Sequence, residues 1–151
     1  MKLYLMQHGL SLSKEEDPKR PLSRAGVEDT QAMGRFLKSK HIKIEKVWHS
    51  PKLRSFESAG IIADCLGGVS LEGREDIKPA DPVKDFPELI MNLGKEIMVA
   101  GHLPFLDKLA SLLLSPREDS GIIKFTNSAI ACFDYGEKWR VEWILTPALL
   151  P

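Results

Sequence analysis

Leu3-Tyr4-Leu5-Met6-Gln7-His8-Gly9 begins with four apolar residues and runs straight into a polar group. A short unbroken apolar run reads as a strand covered on both faces, the kind found in parallel sheets. Residues 44–48, ahead of His49-Ser50-Pro51, and residues 97–100, ahead of Gly101-His102, are read as two further strands. Stretches of helical character separate the three, and this alternation is the signature of βαβ units.

Working outward, Ser23 is an N-cap for a helix whose inner face carries Val27, Thr30, Met33, Phe36 and Leu37. Ser50-Pro51 supplies an N-cap and an N1 proline for a second helix. Leu53, Phe56, Gly60, Ala63 and Leu66 continue it, and Gly67-Gly68 ends it. Residues 69–71 are expected as a short strand and 73–85 as a polar loop near the active face. Phe86–Leu93 is expected as a helix with Gly94 at its C-cap, and 104–114 as another. The tail is expected as two antiparallel strands, 122–135 and 139–145, because Gly136-Glu137-Lys138 is too short for a crossover. The length of 151 residues fits one domain, 1–151, with a mostly parallel sheet and an antiparallel C-terminal strand.

Composition narrows the function classes. Lys and Arg number 21 and so do Asp and Glu, which argues against an extended polyanion such as nucleic acid or an anionic membrane. No apolar run approaches the roughly 20 residues of a membrane span. Cys65 and Cys132 stand far apart with no CxxC spacing, so neither a disulfide framework nor a zinc knot is expected. A reduced, cytoplasmic protein follows.

His8, Arg54 and His102 share one address. Each follows a parallel strand, so all three are expected at the carboxyl edge of the sheet, where open α/β sheets bind ligands. Helix N-termini at that edge favour an anion. Two imidazoles and a guanidinium there suit phosphoryl transfer. His8 is the candidate nucleophile, since neutral imidazole is competent near neutral pH. Arg54 offers a planar fork to two phosphoryl oxygens, and His102, when protonated, a further donor. A metal site using His8 and His102 lacks a third ligand at motif spacing, so no metal and no cofactor is expected. His41 is expected to be exposed, and His49 peripheral.

These residues resemble signatures of the histidine phosphatase superfamily, also called phosphoglycerate-mutase-like. Leu5-Met6-Gln7-His8-Gly9 is similar to its Arg-His-Gly motif, and Arg20-Pro21-Leu22-Ser23-Arg24-Ala25-Gly26 to its Pro-Leu-Thr/Ser-x-x-Gly segment. The ten residues from Ser50 to Ala59 resemble its Ser-Pro-x-x-Arg helix start. Gly101-His102-Leu103-Pro104 resembles the second-histidine motif, and residues 125–130 the closing segment of the short branch. The resemblance implies a three-layer α/β/α sandwich. It implies His8 as nucleophile, with Arg54, His102 and Arg20 as phosphate ligands. The short length points to the SixA-type phosphohistidine phosphatase branch. The helical insertion of larger members has little room between Arg54 and His102, so an open site is implied. Its partner is then a phosphorylated protein, a histidine-phosphotransfer domain or phosphocarrier, or else a small phosphoester. An imidazole leaves more easily than an alkoxide, so a missing acid is tolerable. Asp81 and Asp85 are the loop residues where an acid is sought.

Gln7 departs from the pattern, which has arginine there. Its amide keeps a donor but loses charge and fork. Charged hydrogen bonds contribute about 1.5–3 kcal/mol against about 0.5–1.5 for neutral ones. That difference slows a reaction by roughly one to two orders of magnitude, a deficit that Arg20 or Lys52 offsets if either reaches the site. Three readings follow: a metal-independent phosphatase acting on protein-borne phosphohistidine, a phosphate- or phosphoprotein-binding regulatory module weakened by Gln7, and a broad small-phosphoester phosphatase or mutase.

Overall fold

The computed structural model describes residues 1–151. Its strands are β1 (Lys2–Gln7), β2 (Lys46–His49), β3 (Ser70–Gly73), β4 (Ile97–Gly101), β5 (Ile130–Tyr135) and β6 (Trp139–Leu145). Its helices are α1 (Arg24–Ser39), α2 (Leu53–Cys65), α3 (Phe86–Leu93) and α4 (Phe105–Leu114). The strands form one sheet in the order β3-β2-β4-β1-β5-β6. β1 to β4 are mutually parallel, while β5 runs antiparallel to β1 and to β6. No helix is long and apolar enough to cross a membrane.

The sheet is covered on both sides, and its strands alternate accordingly. Leu3, Leu5, Ile97 and Val99 pack with Phe86 and Ile90 of α3 and with Leu106 and Leu109 of α4. Tyr4, Met6, Met98 and Ala100 pack on the other face with Met33 and Leu37 of α1 and Ala59 and Ile62 of α2. The three-layer α/β/α arrangement follows from these two separate cores. β1 and β4 are central and almost fully buried, which is why their sequences read as continuous apolar runs.

Several boundaries differ from expectation. Residues 122–129 are not strand; β5 starts only at Ile130. Ser128 has a left-handed backbone (φ 62°), and its N–H reaches the carbonyls of Gln7 and His8 at 3.1 and 3.2 Å. The segment is drawn against the end of β1 instead of pairing as an edge strand. α2 begins at Leu53, not at Pro51, and its N-cap is Lys52. Ser50 lies two residues before that N-cap, where its Oγ accepts the Lys52 N–H at 3.3 Å and can still take other partners. The inner face of α2 is Ser55, Ser58, Ala59, Ile62 and Ala63, whereas Phe56 is 48% exposed. Small polar residues occupy the inner face because it lies against strand ends that need hydrogen bonds. Val27 is only half-buried on α1. The 73–85 loop is less polar than expected, since Ile77 and Val83 are buried in the α3/α4-side core. α4 starts one residue after Pro104.

Candidate active site

His8 stands one residue beyond β1. Its N–H donates to the carbonyl of Gly101 at 3.0 Å, extending the β1–β4 pairing past the strand end. Its own carbonyl accepts from Asn127 Nδ2 at 3.2 Å. Gly9 N–H donates to Ser58 Oγ of α2 at 2.9 Å. The turn after β1 is close-packed. A Cβ on Gly9 would lie 2.7 Å from Thr30 Oγ1, and one on Gly26 only 2.1 Å from the Leu10 carbonyl oxygen. Both glycines let α1 approach the loop that carries the site.

The His8 ring is oriented by its neighbours. Nδ1 is 2.7 Å from the Gly9 carbonyl, which only accepts, so Nδ1 carries a proton. That leaves the lone pair on Nε2, where Arg54 Nε donates at 3.3 Å. Burial depresses the pKa of His8 to about 4; the Gly9 bond opposes the shift, while Arg54 and Arg20 add to it. The ring is neutral at pH 7. Arg54 comes from the first turn of α2, and burial together with Arg20 lowers its pKa as well.

His102 follows β4 and is 1% exposed, its ring centroid 5.0 Å from that of His8. Ser50 Oγ lies 2.5 Å from its Nε2, while its Nδ1 is buried without a partner. Burial, then the charges of His8, Arg54, Lys52 and Arg20, push its pKa down to about 3. The ring is thus neutral at pH 7.

Arg20 sits in a left-handed conformation (φ 48°), uncommon for a residue with a side chain. It is held there from several sides. Its Nε donates to the Leu12 carbonyl at 3.2 Å and its Nη2 to Ser11 Oγ at 3.0 Å. Two residues on, Leu22 N–H is held by Glu57 Oε2 of α2 at 2.7 Å.

Gln7, His8, Arg20, Arg54 and His102 line one cavity of about 290 Å³, together with Ser11, Asn127, Leu10, Leu103 and Pro79. All five residues singled out as catalytic or phosphate-binding therefore come together. Of the two cations weighed against the missing arginine at position 7, Arg20 lines the cavity and Lys52 does not. Gln7 Oε1 is buried without a partner. No carboxylate lines the cavity. Asp81 and Asp85 line a different groove, beside Glu75 and Asp76, which removes the basis for either as an acid at His8. Asp81 Oδ2 instead accepts from Lys78 N–H at 2.7 Å. His49 is turned to the Ser50 carbonyl and Phe56, and His41 is exposed. No three His, Cys, Asp or Glu side chains cluster as metal ligands. Sequence reasoning missed Ser11, Asn127 and Ser50. Ser50 carried a usable signal, since it follows a parallel strand just as His8 and His102 do.

The chain was compared with known proteins. Residues 3–81 match the family model of the histidine phosphatase superfamily (branch 1). The phosphohistidine phosphatase SixA of Escherichia coli (strain K12) is 30% identical over 158 residues, covering 99% of this chain and 96% of that protein. A solved structure of the protein histidine phosphatase SixA complexed with tungstate superimposes with a TM-score of 0.85 at 28% identity, covering 100% of both chains. The α-ribazole phosphatase of Shigella flexneri shares the fold, with a TM-score of 0.77 at 14% identity over 93% of this chain and 95% of that one.

Proposed function

Since the chain belongs to the histidine phosphatase superfamily and is a phosphatase of that family, we propose that it removes phosphate from phosphohistidine on a partner protein, within a single domain and without a metal. The observation that carries this reading is the pairing of a neutral His8, bare at Nε2, with an Arg54 guanidinium already at that nitrogen.

His8 Nε2 attacks phosphorus in line, and the bond from phosphorus to the leaving nitrogen breaks. A substrate imidazole protonated on its other nitrogen departs neutral, taking the bonding pair, so no enzyme acid is required. Arg54 Nε donates to the His8 Nε2 lone pair; as substrate enters it turns, with the other N–H groups of that guanidinium, to the phosphoryl oxygens and so leaves the lone pair free to attack. Arg20, Arg54 and His102 meet the charge that spreads over those oxygens, a role fixed donors fulfil without reorganisation. Water then attacks phosphorus, the P–Nε2 bond breaks, and orthophosphate leaves with His8 restored.

Two further features support the substrate class. The SixA relative that aligns over almost the whole chain is named a phosphohistidine phosphatase. The cavity also offers no carboxylate to protonate an alkoxide, so an alkyl phosphate is a poor substrate. A partner presenting phosphohistidine, a phosphotransfer domain or phosphocarrier, fits a site opened at a sheet edge.

Brief mixing with a labelled phosphohistidine protein, followed by alkaline quench, is expected to trap acid-labile label on the wild type. His8→Ala is expected to abolish the label and to reduce turnover by at least about 10³-fold. Label that persists in His8→Ala rejects the covalent mechanism.

A further inference from the structure

His102 has one engaged ring nitrogen and one buried, unpartnered one, and the engaged nitrogen faces a serine. We propose that Ser50 is a positioning residue that fixes the His102 ring as the Nδ1–H tautomer, so that the neutral imidazole meets a phosphoryl group with a donor and not a lone pair. This builds on the reading of His102 as a phosphoryl ligand.

The argument is a count of hydrogens. Ser50 is fully buried. Its Oγ accepts the Lys52 N–H at 3.3 Å, and the one acceptor open to its own hydrogen is His102 Nε2 at 2.5 Å. If Ser50 donates, its hydroxyl and the ring Nε2 are both satisfied, and only Nδ1 lacks a partner. The remaining ring hydrogen then sits on Nδ1, where a phosphoryl oxygen can accept it. If the ring donates instead, the Ser50 hydrogen has no acceptor and the Nδ1 lone pair has no donor. That arrangement leaves two buried polar groups unpaired against one, and it is the disfavoured choice.

The serine is itself held in place. Its N–H donates to Ser55 Oγ at 3.0 Å, and Ser55 Oγ donates to the Ala100 carbonyl at 2.7 Å. Those bonds tie the end of β2 and the first turn of α2 to the end of β4, two residues before His102. The charged and titratable groups facing the ring are His8 after β1, Arg20 in the following loop, and Lys52 and Arg54 at the start of α2. None is an anion, so none holds the ring as a cation. Tautomer choice is then the means left to make it a donor.

The first test uses the wild-type protein. The ¹⁵N shifts of the two His102 nitrogens at pH 7.5 are expected to show a neutral ring protonated at Nδ1. A ring protonated at Nε2, or a cationic ring, overturns the proposal. The second test repeats the ¹⁵N measurement on Ser50→Ala and pairs it with kcat/KM on an aryl phosphate at pH 7.5. Without the serine, neutral His102 takes either tautomer, so loss of the Nδ1–H preference together with a fall of about tenfold in kcat/KM is expected. An Nδ1–H population unchanged in Ser50→Ala overturns the proposal and makes Ser50 merely structural. His102→Ala with full activity would instead defeat the underlying reading of His102 as a ligand, while leaving the ring's measured tautomer as it stands.

Discussion

Two polar depressions draw on one loop and differ completely in charge. The cavity around His8 takes Pro79 from that loop, and its ionisable lining is His8, Arg20, Arg54 and His102. The other groove is lined by Glu75, Asp76, Asp81 and Asp85, the first two of them paired with Lys78 and Arg74 from outside its lining. Zero net charge thus conceals a separation of charge over a few residues. A neutral total excludes a long polyanion, but it leaves room for two arginines to meet one phosphoryl group. The separation also sets the chemistry. Carboxylates in the cavity would neutralise Arg20 and Arg54 and supply an acid for alkoxide departure; kept in the groove, they do neither.

The strongest way to break this contrast is to remove a cation. Arg54→Ala takes away the donor at His8 Nε2 and the fork for the phosphoryl oxygens; Arg20 stays in the cavity, but its Nε and Nη2 are held by the Leu12 carbonyl and Ser11 Oγ. A fall in kcat of about 10²–10³-fold is expected, in line with loss of one preorganised donor. Arg54→Lys, retaining charge without the fork, is expected to recover only part of it. Steady-state kinetics on a phosphohistidine peptide distinguish these outcomes; a loss below threefold in Arg54→Ala would remove the guanidinium from the mechanism.

A cavity of cations without carboxylates should also dislike acid. His8 and His102 fold with pKa values of about 4 and about 3, below the 6.5 of an unfolded chain. Below pH 6.5 the unfolded chain takes up protons that the native state refuses, so stability falls as pH drops toward 3–4 and their contribution is level above 6.5. Denaturant titrations are expected to show a loss on the order of a few kcal/mol between pH 7 and pH 4. The loss should be smaller in His102→Asn, which has no proton to take up. An identical loss in both proteins would mean that His102 is not held neutral by the fold.

How much of this was legible in the sequence depended on burial. β1 and β4 are covered on both faces, so their apolar runs announced them, and the parallel arrangement then placed His8, Arg54 and His102 at one edge. α2 was only partly legible because the helix buries serines that bond to strand ends, while Phe56 stays outside against His49. Residues 122–129 misled because apolar residues such as Ile123 and Phe125 pack into the core from an irregular segment, a pattern indistinguishable from a strand by alternation alone. The family resemblance located Arg20 but not its left-handed backbone, which its neighbours impose. Asp81 and Asp85 were sought in the site because their loop reaches it, and only the fold shows which way each residue of that loop turns.

Gln7 sharpens the contrast from the other direction, because adding a cation should strengthen the cavity. Gln7→Arg is expected to raise kcat about tenfold, the ratio implied by replacing a neutral hydrogen bond with a charged one. Arg20 and Arg54 already supply charge, which is why the gain stays modest. No gain would mean that these two saturate the phosphoryl oxygens.

The smallest expected effect is the most direct check on the separation itself. Asp81→Asn and Asp85→Asn remove the two groove carboxylates that follow Pro79 in the loop without changing side-chain shape. If the cavity works without an acid, both variants stay within about twofold of wild type on a phosphohistidine peptide and on an aryl phosphate, whose leaving groups depart unaided. Alkyl phosphate is the discriminating substrate, since its alkoxide cannot leave without a proton. Wild-type activity there is expected to be far lower than on the aryl ester and equally low in both variants. A wild type that hydrolyses the two esters alike, together with an Asp81→Asn or Asp85→Asn that loses more than tenfold on the alkyl ester alone, would show that the loop swings a carboxylate from the groove into the cavity during turnover. The charge separation would then describe the resting protein and not the working one.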